Sequence, residues 1–159
     1  MKVSVVIPLY NAEPFIGRCL DSILNQTHRD IEIILVDDVS KDASLSIAED
    51  YQKKYPSIKI IKHATNKGSM MSRRDGYMAA TGECLMFVDS DDALPLDAVE
   101  KLVSKQVETN ADIVLGNAVK IYVNGRRERL VDNVRANAKK LDFLKALLDE
   151  KARRCLWGR

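Results

Sequence analysis

Three carboxylates fall within four residues at Asp89-Ser90-Asp91-Asp92, directly after the apolar run Leu85-Met86-Phe87-Val88. A buried strand that ends this way delivers acids to the rim of a sheet. In open α/β folds that rim, at the carboxyl ends of the strands, is where ligands bind. Crowded carboxylates repel one another unless a cation neutralises them, and hard oxygen donors suit Mg2+ or Mn2+. The chemistry suggested is a divalent metal that itself holds a phosphate-bearing ligand. The same tetrapeptide also suits a loop or a helix N-cap, because short polar side chains satisfy free backbone N–H groups. The choice turns on whether other strand ends carry chemistry too.

Several do. Pro8-Leu9-Tyr10-Asn11-Ala12-Glu13 follows the first apolar run, and an aromatic there offers a flat face to a nucleobase or packs as an ordinary loop tyrosine. Val36-Asp37-Asp38-Val39-Ser40-Lys41-Asp42 ends a second run in acids. A carboxylate so placed accepts the N–H of a uracil or the hydroxyl of a ribose, while Asp42 reads as a helix cap. In Asn66-Lys67-Gly68-Ser69-Met70-Met71-Ser72-Arg73-Arg74-Asp75-Gly76, the glycine lets backbone approach a ligand at a helix start, where N–H groups favour anions. Arg73 and Arg74 have the paired donors that suit a diphosphate, or they are solvated arginines on an amphipathic helix. Met70, Met71 and Met78 read as core filler.

The elements needed to position these residues are legible as strand–helix alternation. Val3 to Ile7 is β-branched and stops at Pro8, and a helix from about Pro14 carries Phe15, Ile16, Cys19, Leu20, Ile23 and Leu24 at helical spacing. Strands follow at Ile31 to Val36, Ile58 to Ile61, Cys84 to Val88 and Ile113 to Leu115. Between them, helices are expected after Asp42 (through Ile47 and Tyr51), over Ser69 to Ala80 with Gly82 marking the end, and from Pro95 with Leu96, Val99, Leu102 and Val103. Such alternation argues for a largely parallel sheet covered on both faces, with the acid-bearing loops on one edge. Beyond residue 116 the pattern changes to a hairpin (Lys120 to Val123, a tight Asn124-Gly125 turn, Arg126 to Val131), then a helix with Leu141, Leu144, Leu147 and Leu148. No closing element is visible after it.

Composition sets the bounds. With 159 residues, 46% hydrophobic and 30% charged, the chain is long enough for one domain with a real core. A net charge of +2 gives no reason to expect nucleic acid as a partner. Cys19, Cys84 and Cys155 lie far apart and read as reduced thiols, and His28 and His63 lack metal-ligand spacing. No apolar run approaches the ~18 residues of a membrane span, and the N-terminus enters a strand directly, so no signal peptide is expected. Repeats and low-complexity segments are absent from the sequence.

Taken together, Pro8-x-Tyr10-Asn11-x-Glu13, Val36-Asp37-Asp38-x-Ser40-x-Asp42, Asn66-x-Gly68 with Arg73 and Gly76, and Gly82-Glu83 leading to Asp89-Ser90-Asp91-Asp92 resemble, in order and spacing, the family 2 inverting glycosyltransferases of the GT-A fold. The resemblance covers about residues 2–115, and Trp157-Gly158-Arg159 also looks like that family's Trp-Gly-Lys-like segment. It implies a Rossmann-like three-layer α/β/α sandwich with a mostly parallel sheet, truncated at the C-terminus. Residues 1–115 would form the donor-binding core, and 116–159 the incomplete start of an acceptor-side region. It implies a nucleotide-sugar donor, a UDP-sugar in the first instance, and a glycan or lipid-linked acceptor in polysaccharide biosynthesis. Pro8, Tyr10 and Glu13 would line the nucleoside pocket, and Asp38 would contact the base. Arg73 would lie near the diphosphate or ribose. Asp91 would be the direct metal ligand, with Asp89 near the ribose or metal and Asp92 a weaker member.

Two departures bear on function. Val39 stands where the family has glycine, and a positive φ there would strain a β-branched residue, so the turn is expected to differ and the contacts of Ser40 with it. Ser72-Arg73-Arg74 replaces an Ala-Arg-Asn pattern. Inversion also needs a carboxylate base. Glu128, Asp132, Asp142, Asp149 and Glu150 stand in the second half without a recognisable motif, so the base is expected beyond Arg159 and the chain alone is expected to be a poor catalyst. The alternatives are a non-catalytic nucleotide-sugar binding module, or a magnesium-dependent phosphotransfer protein with a phosphorylatable aspartate. A dinucleotide site is disfavoured, because no Gly-x-Gly-x-x-Gly follows the first strand. The basic group Lys151, Arg153, Arg154 and Arg159 suits either a solvated helix end or an anionic membrane surface. A cytoplasmic protein, peripheral at the inner face of the membrane in the second case, is the expectation. An exposed hairpin edge leaves oligomeric state open.

Overall fold

The computed structural model describes residues 1–130 and the short strand at 157–158. In chain order the elements are β1 (Val3–Leu9), α1 (Glu13–Leu24), β2 (Ile31–Asp37), α2 (Ser44–Lys54), β3 (Ile58–Lys62), α3 (Ser69–Ala79), β4 (Cys84–Phe87), α4 (Ala98–Thr109), β5 (Ile113–Val114), β6 (Ala118–Ile121), β7 (Arg127–Leu130) and β8 (Trp157–Gly158). The main sheet has the order β3-β2-β1-β4-β8-β5. β1 pairs in parallel with β2 and β4, and β2 with β3. β8 runs antiparallel to both its neighbours.

β1 lies between two strands and under helices on both faces, which is why it reads as an almost unbroken apolar run. Its odd residues Val3, Val5, Ile7 and Leu9 join Ile16, Cys19, Leu20 and Ile23 of α1 and Val99 of α4 in the main core. Burying each such side chain is worth about 1.5–3 kcal/mol. The opposite face of β1 and β2 carries a graded series in register: Ser4 beside Glu32, Val6 beside Ile34, then Pro8 beside Val36. The polar pair is at one end, an apolar patch under α3 is in the middle, and continuing the alternation past the strand brings Asp38 to the other end.

α3 lies so close to this face that only small residues fit beneath it. A Cβ on Gly76 would stand 2.3 Å from Cγ1 of Val6, and Ser72 and Gly76 are the buried positions of the helix. The bulky residues are therefore turned outward, and Met70 and Met78 are exposed rather than core filler. Gly82 does not end α3, whose C-cap is Ala80. It lets the chain pass Ser4 and Lys2, where a Cβ would fall 2.6 Å from the Ser4 hydroxyl and 2.8 Å from backbone.

Glu32 organises the end of the sheet away from the acidic loops. It is buried, and its carboxylate accepts from the Ser4 hydroxyl, the Thr81 N–H and hydroxyl, and Nζ of Lys2 at 3.0 Å and of Lys59 at 3.3 Å. Burial pushes its carboxyl up, but those donors outweigh burial and hold it far below the usual range. A folded-state pKa below the unfolded one gives stability that is full above the ordinary Glu value of about 4.3 and lost as pH falls beneath it. Glu32→Gln is expected to cost about 1.5–3 kcal/mol at pH 7 and to flatten the acid limb below about pH 4.3. Urea melts at pH 7 and pH 3 check both.

Three further expectations change. α4 starts at Ala98, after a turn at Pro95 that leaves Leu96 exposed. The Asn124-Gly125 pair does not make a two-residue turn. β6 and β7 pair up to Ile121↔Arg127, the Gly125 N–H returns to the Tyr122 carbonyl, and Gly125 takes φ 80 while Asn124 does not take a positive φ. A two-residue type I′ turn needs both central residues at positive φ; a single left-handed glycine gives the wider loop. Finally, an element does close the sheet, for β8 inserts between β4 and β5 from beyond residue 116. The leucine helix at 141–148, the cysteine and basic residues after it, and Asp132, Asp142, Asp149 and Glu150 lie outside the described residues.

Candidate nucleotide-sugar site

The loops after β1 and β2 are stitched to each other before they hold anything else. The N–H groups that open α1 have no partners within the helix, and the neighbouring loop supplies them. The Ala12 N–H donates to the Ser44 hydroxyl at 2.7 Å and the Glu13 N–H to Asp42 Oδ2 at 3.1 Å. In return the Glu13 carboxylate accepts the Ala43 N–H at 3.0 Å, and Asn11 Oδ1 the Lys41 N–H at 2.8 Å. The N-cap of α2 is Ala43 rather than Asp42, whose Oδ1 instead accepts the Ser44 N–H.

Val39 sits in this bracing at φ 66. The turn is kept, not altered, and the valine takes the left-handed conformation that glycine adopts without strain. The Ser40 N–H faces the Asp37 carboxylate and its hydroxyl accepts the Asn11 N–H at 3.3 Å, so Ser40 keeps a role in the loop. Val39→Gly is expected to stabilise the fold by about 1 kcal/mol by removing that strain, measurable as a higher urea midpoint with unchanged slope.

Above the braced loops lies a cleft of about 480 Å³ at the carboxyl ends of β1, β2 and β4, and Pro8, Tyr10, Asp38, Arg73, Asp89 and Asp91 all line it. Glu13 does not, because its carboxylate is turned to the start of α2. Residues that sequence reasoning did not single out as ligand contacts also join the wall, among them Asn11, Phe15, Asn66 and Ser72. Phe15 shares the α1 stripe of core residues but is 42% exposed at its cleft end, a difference the periodicity alone does not encode. Tyr10 is 47% exposed, leaving its ring available.

The acidic loop carries a charge problem. The Asp89 carboxylate is held by the Arg73 guanidinium. Arg18 of α1 donates to the Asp91 carbonyl at 2.9 Å. The Asp91 carboxylate itself has neither a hydrogen bond nor an ion pair among the described residues. Burial pushes the Asp92 carboxyl up, and Asp91 and Asp89 push it the same way. Cys19, buried beneath the loop, is pushed up to about 12 by burial and by the charges of Asp92 and Asp91. Negative charge is thus in excess where a cation would relieve it. Among the described residues no three potential ligands stand together as a metal site; one or two carboxylates could hold Mg2+ or Mn2+ only together with the oxygens of a phosphate-bearing ligand. Asp89 and Asp91 line the cleft and could supply such carboxylates.

On the other wall, Asp38 is 3% exposed and already engaged. It accepts from the Lys67 N–H at 2.8 Å, the Gly68 N–H at 2.7 Å and Nδ1 of His63 at 2.8 Å. Burial pushes its carboxyl up, but these donors win and hold it below the usual range. Gly68, at φ 84 and ψ 161, is the N-cap of α3, in backbone territory open in practice only to glycine.

The sequence matches Glycosyl transferase family 2 over residues 4–158. The chain belongs to that family. A curated relative, the poly(ribitol-phosphate) beta-glucosyltransferase of Bacillus spizizenii, is 44% identical over 129 residues, which is 79% of this chain and 20% of that protein. The crystal structure of S. aureus TarS 1-349 in complex with UDP superposes with TM-score 0.69 at 35% identity, covering 79% of this chain and 37% of that TarS 1-349 chain. The same protein with UDP-GlcNAc gives 0.67 at 34% identity, covering 79% and 36%. The mannosyltransferase PcManGT from Pyrobaculum calidifontis, in complex with GDP-Man and Mn2+, gives 0.67 at 24% identity over 72% of this chain and 34% of its own, and shares the fold. The chain therefore has the GT-A fold, and it spans roughly a fifth to just over a third of the length of these relatives.

Proposed function

We propose that this chain forms the donor site of a metal-dependent, inverting glycosyltransferase that takes its sugar from a UDP-sugar. The observation that carries the reading is the convergence of Pro8, Tyr10, Asp38, Arg73, Asp89 and Asp91 on one cleft. Tyr10 and Pro8 offer a flat wall for the base. Asp38 has used Oδ1 twice and Oδ2 once, and a carboxylate oxygen accepts about two hydrogen bonds. One acceptor position is left on Oδ2, which matches a single ring N–H such as that of uracil. Arg73 exchanges Asp89 for the diphosphate, where its paired donors are well suited. A divalent ion on Asp91 and Asp89 supplies charge stabilisation to the departing diphosphate. TarS, which shares the fold and a third of the aligned residues, has been crystallised with UDP and UDP-GlcNAc, and that supports uridine here.

The proposed acceptor is a glycan or a lipid-linked glycan in polysaccharide biosynthesis, met on the side of the β6–β7 hairpin by residues after 115. The catalytic base is proposed to come from outside the described residues, because Glu128 is tied to the Tyr122 hydroxyl and to Arg126. Among the described residues no helix is long and apolar enough to cross a membrane. We place the protein in the cytoplasm, peripheral to the membrane where the acceptor is lipid-linked. The reading as a non-catalytic donor-binding module loses one support, since Val39 keeps the turn it was expected to distort.

The test is incubation of the full-length protein with UDP-sugars and acceptor extracts in manganese, following UDP release and the anomeric configuration of the product by NMR. Release with an inverted anomer supports the proposal. Donor binding without release of UDP would make the protein a binding module, and a retained anomer would exclude inversion.

A further inference from the structure

His63 shows none of the spacing that marks a metal ligand, yet it joins the cleft residue Asp38 to Asp75 on α3. Its side chain is 3% exposed. Nδ1 faces Asp38 Oδ1 at 2.8 Å and Nε2 faces Asp75 Oδ2 at 3.1 Å. The backbone N–H of His63 is fixed to the Asp37 carbonyl at 2.9 Å. Asp75 lies on α3 and is also held by Nζ of Lys67 at 3.3 Å. The Lys67 side chain leads its carboxyl below the usual range, with burial opposing and the His63 bond adding to it. An ionised carboxylate only accepts hydrogen bonds, so the Asp38 contact is made by an N–H on Nδ1.

Asp38 is the hinge of this arrangement. It draws in the Lys67 and Gly68 amides with its side chain and Nδ2 of Asn66 with its carbonyl, at 3.1 Å. Those residues lead directly into α3, whose Ser69, Ser72 and Arg73 reach the cleft. The His63 N–H holds the Asp38 carboxylate in the orientation that serves the Lys67 and Gly68 amides.

We infer that His63 is a positioning residue for the donor site, aiming Asp38 so that segment 66–68 and the start of α3 are set before the nucleotide arrives. The inference rests on the uridine reading above for its ligand and not for its geometry. Of the substitutions available, Asn places an amide N–H near Nδ1 of the imidazole and Gln places one near Nε2. His63→Asn therefore keeps the Asp38 contact and His63→Gln keeps only the Asp75 contact, while both lose the ring.

The experiment is hydrogen exchange of the Lys67 and Gly68 amides in the wild type, His63→Asn, His63→Gln and His63→Ala, with UDP titrated in manganese on the same samples. Exchange is expected to speed up by about tenfold or more in His63→Gln and His63→Ala and to stay near wild type in His63→Asn. UDP affinity should follow the same order, falling about tenfold in Gln and Ala and less than about threefold in Asn. Equal exchange in the Asn and Gln variants, or wild-type exchange in a folded Ala variant, overturns the inference. Should Ala fail to fold, the Asn–Gln pair decides alone. If the wild type fails to bind UDP, the uridine reading fails, and the exchange comparison still judges His63.

Discussion

Asp91→Asn is expected to abolish the stabilisation that UDP and manganese together confer, while leaving the unliganded fold as stable as the wild type. The carboxylate lines the cleft without a hydrogen bond or ion pair among the described residues. Neutralising it breaks nothing in the fold, and the change in unliganded stability should stay within about 0.5 kcal/mol. On the proposed site it would remove one of two carboxylates that hold the metal, so affinity should drop by about a hundredfold. At a ligand level of about a hundred times Kd the wild type gains about 2.7 kcal/mol, seen as a shift of several degrees. The variant should show almost none at that concentration. An undiminished shift would remove Asp91 from the site. Asp89→Asn should behave differently, because it also releases Arg73.

Gly76→Ala should be strongly damaging although it adds only one methyl. Alanine gains about 1 kcal/mol of helix propensity over glycine. Here that gain is overwhelmed, since the new Cβ would lie 2.3 Å from Val6 Cγ1 and 3.2 Å from Val36 Cγ2. Both valines are fully buried between strands and cannot swing aside. A net loss of about 2 kcal/mol is expected, a fall of roughly 4–8 °C in melting temperature for a chain of this size. Combining it with Val6→Ala removes the clash, and the double variant should lose less than the sum of the singles. Strict additivity in calorimetric melts would show that α3 relaxes away from the sheet instead. Because α3 carries Arg73 and follows Gly68, a shifted α3 should weaken UDP binding too.

The alternating strands and helices, the parallel core and the meeting of three loop motifs were legible because each is written locally, in β-branched runs that stop in Pro or Asp. Pro8, Tyr10, Asp38, Arg73, Asp89 and Asp91 do meet in one cleft. Other features depend on partners distant in sequence. Glu13 resembles a ligand contact but pairs with Ala43, thirty residues on. Asp42 reads as a cap for its own helix, yet it also caps α1. Met70 and Met78 look like core until the closeness of α3 to Val6 is known. Val39 shows the opposite case: its strain was legible, but not that the surrounding hydrogen bonds would impose the left-handed turn on it. His63 gives no local signal at all, for its meaning lies in Asp38 and Asp75 on either side. The strand at Trp157–Gly158 is too short for any periodicity and is defined only by the gap between β4 and β5 that it fills.

The most direct test is calorimetric titration of the protein with UDP, first in manganese and then in excess chelator. The donor-site account predicts micromolar binding that collapses when the metal is removed. Binding of equal strength in both conditions would contradict the role given to Asp89 and Asp91, and no binding in either would contradict the assignment of the cleft to a uridine nucleotide.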